Sequence, residues 1–161
     1  MITEETAGPI LEALGFSQIE ELFEMLAECH ANTATFAKTF FPEVFFRPWS
    51  ALHLDLCRIL DDDKKQKVAI AAPRGFGKTS LFNLAFPAKR ILFRDSTHII
   101  PVSATADAAI EQADDLKDEL VTNDLIRLLF GELSPRDRKD PFGMKEGVPS
   151  NGGKDRPRGA G

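Results

Sequence analysis

Apolar residues recur at helical spacing over much of this chain, and two segments instead read as strands. Ile19, Leu22, Phe23 and Leu26 fall on one side of a helix, with Ser17 and Glu20 placed as a capping box at its start. A second, short helix runs from Thr33, with Phe36 and Phe40 on one side, until Pro42 stops it. Leu52, Leu56, Ile59 and Leu60 share a face of a third, from Trp49 to Leu60. Val68-Ala69-Ile70-Ala71-Ala72 is an unbroken apolar run and reads as a strand. The helix after Gly77 extends to Phe93 and contains Pro87, which has no N–H to donate and predicts a kink or split near Phe86. Thr97 to Val102 is the second strand, weakened by Pro101. Ser103-Ala104-Thr105 then caps a helix through Leu120, and Asn123 caps a shorter one through Phe130, closed by Gly131.

Between the first strand and the long helix lies Ala72-Pro73-Arg74-Gly75-Phe76-Gly77-Lys78-Thr79. A strand, a glycine-bearing loop and a helix, closing on Gly-Lys-Thr, form the pattern of a phosphate-binding loop. The chemistry needs these residue types. Glycines let successive N–H groups turn toward a phosphate, and the helix start adds its positive dipole end. Lys78 reaches the β- and γ-phosphates, and the Thr79 hydroxyl ligates Mg²⁺. The cradle expected to hold ATP with Mg²⁺ is therefore Pro73, Arg74, Gly75, Phe76, Gly77, Lys78, Thr79 and Ser80, with Arg74 and Lys78 as the groups acting on the transferred phosphoryl. Ala72 stands where the strict pattern begins with glycine.

The order strand, helix, strand, helix implies parallel strands joined by a right-handed crossover. The expected fold is α/β: a partial P-loop NTPase fold, parallel strands with flanking helices and a helical N-terminal extension. Residues 1–47 form that extension, 48–133 the partial ATPase domain, and 134–161 a Gly/Pro-rich tail too poor in large apolar residues to offset its ordering entropy, hence expected to be disordered. Phe40, Phe41, Phe45, Phe46 and Trp49, around Pro42 and Pro48, read as a hydrophobic joint. Asp61-Asp62-Asp63 before Lys64-Lys65 reads as a solvated turn rather than a metal site.

Hydrolysis also needs an apolar strand ending in an acid, to hold Mg²⁺ and orient the attacking water. Ile91-Leu92-Phe93-Arg94-Asp95 comes nearest, but it continues a helix and an arginine interrupts it; Asp107 lies one turn into the next helix. Two strands are few for a parallel sheet. The expectation is the opening part of a larger ATPase, cut off before its catalytic acid.

Bulk composition changes this little. At 161 residues, 43% hydrophobic and 28% charged, the chain has the make-up of one globular domain. Its net charge of −5 gives no overall basic field for nucleic acid. Residues 1–63 hold 12 of the 25 acids and 3 of the 20 bases, leaving 13 acids and 17 bases for the half with the loop. Cys29 and Cys57 have no metal-ligand spacing and read as buried thiols, which implies a reducing, cytoplasmic setting. The acidic N-terminus is no secretory signal, and no apolar stretch approaches the ~20 residues that span a bilayer.

Four segments together resemble the N-terminal ATPase region of phage terminase large subunits, the motors that package DNA into proheads. They are Arg47-Pro48-Trp49 with His53 before the loop; the Pro73–Thr79 loop with its internal arginine; Pro87 midway along the following helix; and Ser103-Ala104-Thr105 with the later Asn123 and Phe130-Gly131. The resemblance covers Phe41 to Leu133. It implies ATP hydrolysis that drives DNA translocation in the full-length protein, an endonuclease domain elsewhere in that protein, and a phage-encoded protein in the bacterial cytoplasm. It also implies as partners the small terminase subunit, the portal protein and double-stranded DNA, with a homo-oligomeric ring. Arg74 would lie against the γ-phosphate, with a solvated loop charge as the alternative. Trp49 or His53 would border the adenine, although a half-buried core position is preferred for both. Rival readings are a helicase-like or other P-loop ATPase fragment, and a non-catalytic nucleotide-binding or assembly module.

Overall fold

The computed structural model describes residues 4–65, 67–96, 98–133, 154–155 and 158–159. The chain divides into two compact units, Met1–Phe76 and Gly77–Gly161.

The first unit is helical. Helix α1 (Glu4–Leu14) ends where Gly15 takes φ +72°, the left-handed conformation that closes helices at glycine. Helix α2 (Ile19–Ala31) opens with the Glu21 carboxylate accepting the N–H groups of Ser17 (2.7 Å) and Gln18 (3.3 Å), so the capping glutamate is one residue later than the sequence pattern suggests. Asn32 ends α2 and starts α3 (Thr33–Phe40): its Oδ1 accepts from the N–H groups of Ala34 (2.8 Å) and Thr35 (3.2 Å). Phe36 stacks on Phe40 at 4.7 Å and meets the edge of Phe41 at 5.9 Å. These rings, with Leu22 and Cys29, form the buried centre of the unit. Within the aromatic joint Phe40 and Phe41 are buried, Phe45 and Trp49 half-buried, and Phe46 is 72% exposed, so the joint packs through only part of its rings. Helix α4 (Ala51–Leu60) buries Leu56 and Cys57 and follows the N-cap Ser50.

The second unit begins with one continuous helical run, Lys78 to Leu92, whose winding changes along its length. Ser80–Ala85 is wound wide, as a π-helical turn in which the Phe86 N–H reaches back five residues to Leu81 O. Helix α5 (Phe86–Leu92) then resumes α winding with Pro87 in its first turn. The missing N–H of Pro87 is tolerated there, and a change of winding beside a proline is the expected response. Helix α6 (Ala106–Thr122) is capped by Thr105, whose Oγ1 accepts from the Ala108 N–H at 3.3 Å. Helix α7 (Asp124–Phe130) is capped by Asn123 Oδ1 accepting from the Ile126 N–H at 3.1 Å, and Gly131 at φ +81° ends it. Leu81, Ala85, Ala88, Ala109, Leu116 and Ile126 are buried in this unit.

The expected α/β architecture does not form. The described residues are mostly helical, and no sheet surrounds the loop among them. Val68–Ala72 joins no ladder; Val68, Ala69 and Ala71 are exposed, whereas a strand inside a parallel sheet is covered on both faces. Three of its five residues are alanines, which offer little surface to bury and are depleted in strands. The second expected strand is cut by Ile100-Pro101 into β1 (His98–Ile99) and β2 (Val102–Ser103). Each is two residues long and pairs in parallel with a two-residue segment far along the chain, β3 (Lys154–Asp155) and β4 (Arg158–Gly159) respectively. The right-handed crossover predicted between the two strands is therefore absent among the described residues. Of the expected tail, residues 134–153, 156–157 and 160–161 lie outside the described residues.

Candidate phosphate-binding loop

The Pro73–Ser80 segment is a loop running into the first turn of a helical run. Gly75 and Gly77 have φ of +82° and +62°, a region that side chains resist, and Phe76 between them does not share it. Alternation of this kind is how a chain points successive N–H groups into one concavity that accepts an anion. Pro73, Arg74, Gly75, Gly77 and Thr79 are exposed, and Phe76, Lys78 and Ser80 half-buried. The Leu81 N–H donates to Gly77 O at 3.0 Å and closes the first turn, placing Lys78 and Thr79 at the start of the helical run.

Within the first unit, Phe76 is held by α4. His53, on α4, stacks on the Phe76 ring at 5.4 Å, and its Nε2 lies 3.1 Å from Phe76 O. Its Nδ1 accepts from the Ser50 N–H at 3.1 Å and lies 2.8 Å from Ser50 Oγ. A backbone N–H can only donate, so Nδ1 carries the lone pair, the ring proton sits on Nε2, and Nε2–H donates to Phe76 O. Trp49 meets the edge of His53 at 5.8 Å and Phe45 stands 5.5 Å from Trp49, giving a continuous aromatic row from Phe45 to Phe76. The Lys38 ammonium lies 5.8 Å from the Trp49 ring, within cation–π range. Sequence reasoning named His53 only as a core residue or an adenine neighbour. Its spacing from Ser50, three residues at a helix start, is that of a capping box with histidine as acceptor, and that signal was present.

Asp95 pairs with Arg90 at 3.9 Å, and Asp107 is exposed on the first turn of α6. Asp61 binds Thr33, while Asp62 accepts from the Lys64 N–H at 3.1 Å and from the Lys65 ammonium. Among the described residues no cluster of three or more His, Cys, Asp or Glu is arranged to hold a metal ion. The Thr79 hydroxyl is a single ligand, and Mg²⁺ held there would take its other oxygens from phosphate and water. No helix among the described residues is long and apolar enough to cross a membrane.

Comparison with protein-family models, curated proteins and solved structures returns no match.

Proposed function

We propose that the Pro73–Ser80 loop binds the phosphates of ATP together with Mg²⁺, and that the chain is a nucleotide-binding region of a viral DNA-packaging motor of the terminase type. The observation that carries the first part is the pair of positive-φ glycines, Gly75 and Gly77, immediately before Lys78 and Thr79 on the first helical turn. This reading does not depend on a sheet, because the N–H donors, the ammonium and the hydroxyl are all local to the loop. Lys78 contributes charge to the β- and γ-phosphates, Thr79 a hydroxyl to Mg²⁺, and the exposed Arg74 a cation for the γ-phosphate.

The second part rests on the four sequence segments that resemble terminase large subunits. With it come the proposed partners: the small terminase subunit, the portal protein, double-stranded DNA and further copies of the chain in a ring. A second reading, a nucleotide-binding or assembly module without turnover, is favoured by the pairing of Asp95, the nearest approach to a catalytic acid in the sequence, with Arg90.

Calorimetric titration of the 161-residue chain with Mg·ATP tests the first part. Saturable binding that Lys78→Ala weakens at least tenfold is expected. Equal affinity of the two proteins, or none in either, would remove the phosphate-loop reading.

A further inference from the structure

We infer that His53 is a positioning residue for the phosphate loop: through the Phe76 carbonyl it fixes the direction of the Gly77 N–H. The inference rests on the phosphate-binding reading and assigns to a residue outside the loop the orientation of one of its anion donors.

Phe76 C=O and Gly77 N–H belong to the same planar trans peptide, so they point in opposite directions. His53 Nε2–H holds the carbonyl at 3.1 Å. The Gly77 N–H is therefore turned away from His53 and cannot reverse without breaking that bond. Glycine at position 77 makes the restraint necessary, because a peptide next to glycine flips at little steric cost. The other side of Gly77 is held separately, its carbonyl accepting the Leu81 N–H at 3.0 Å.

His53 is itself over-determined. Ser50 fixes its tautomer from one side, and Trp49 meets its ring on edge. The stack of His53 on Phe76 adds a side-chain grip to the backbone one, which gives Phe76 a purpose at a loop position where phosphate binding itself uses no side chain. A restraint of this kind acts by preorganisation: a donor already aimed at the ligand loses less freedom on binding.

The experiment compares the wild-type chain with His53→Phe, which keeps a ring for the stack but removes both hydrogen bonds, and His53→Gln, whose amide can accept from Ser50 and donate to Phe76 O. Three readouts are taken. Long-range ¹H–¹⁵N spectra of the ligand-free wild type report the tautomer, expected as Nε2–H. The Gly77 amide resonance, also without ligand, is expected to move in His53→Phe and to return toward its wild-type position in His53→Gln. Mg·ATP affinity is expected to fall about tenfold in His53→Phe, as for the loss of one net hydrogen bond, with most of it regained in His53→Gln. An Nδ1–H tautomer, an unmoved Gly77 amide in His53→Phe, or unchanged affinity in a chain that does bind ATP overturns the inference. A Gly77 amide that responds in a wild-type chain binding no ATP overturns the nucleotide reading instead and leaves the peptide restraint standing. If His53→Phe does not fold, the wild-type tautomer and His53→Gln still decide.

Discussion

Thr33 and Asp61 are 28 residues apart, and the Asp61 carboxylate binds Thr33 twice, accepting its N–H at 2.9 Å and its hydroxyl at 2.5 Å. The pair ties the start of α3 to the end of α4, with Thr33 fully buried. Asp61→Ala leaves a buried hydroxyl and a helix-start N–H without their acceptor, and it should cost about 1–3 kcal/mol. A double-mutant cycle with Thr33→Val, read by urea unfolding, should give a coupling of at least about 0.5 kcal/mol. Additive losses would mean that the two residues do not act as a unit.

The turn beyond Asp61 carries a pH dependence. The Lys65 side chain and the Lys64 N–H both hydrogen-bond Asp62 and hold its carboxyl below the ordinary value of 3.8. A depressed folded value means that the charged form is favoured by folding. The contribution is therefore complete above the ordinary carboxylate value and is lost as pH falls through the folded one. Asp62→Asn should be less stable than wild type near neutrality, with the gap closing in acid and shrinking in high salt, since the pair is solvent-exposed. Carboxyl-carbon NMR of Asp62 checks the direction: a midpoint at or above the ordinary value would contradict it.

Two kinds of glycine should answer differently to alanine. Gly8 sits within α1 with nothing beyond its chain neighbours near an added Cβ, but the Pro9 ring resists a Cβ on the helical residue before it and offsets the helix propensity that alanine gains, so Gly8→Ala should change stability by less than about 1 kcal/mol. Gly75 and Gly77 also have open space, but positive φ, so Gly75→Ala and Gly77→Ala should each cost about 1–2 kcal/mol from backbone conformation alone. Thermal unfolding of the three variants decides. A neutral Gly77→Ala would show that the loop takes another backbone path.

The starts of α6 and α7 and the break at Pro87 were legible because their signals are local. Asn123 and Thr105 accept hydrogen bonds from residues three positions on, and Pro87 changes the winding where it must. The glycines of the loop were legible for the same reason. The sheet was misread because an apolar run reports a tendency to be buried, not a partner to pair with. Val68–Ala72 has the apolar character without the β-branched bulk, and Pro101 interrupts the other run. The contact of His53 with Phe76 spans 23 residues, and sequence spacing carries no record of it. Each residue was noticed separately, while the hydrogen bond that joins them depends on how α4 packs.

The central claim is that backbone N–H groups of the Pro73–Ser80 loop bind the phosphates of ATP. Amide chemical-shift mapping of the ¹⁵N-labelled chain, titrated with Mg·ATP and then with Mg²⁺ alone, tests it most directly. The account predicts that the largest ATP-dependent shifts fall on the amides of Gly75, Gly77, Lys78 and Thr79, and that Lys78→Ala suppresses them. Largest shifts elsewhere in the chain, or the same shifts with Mg²⁺ alone, would contradict it.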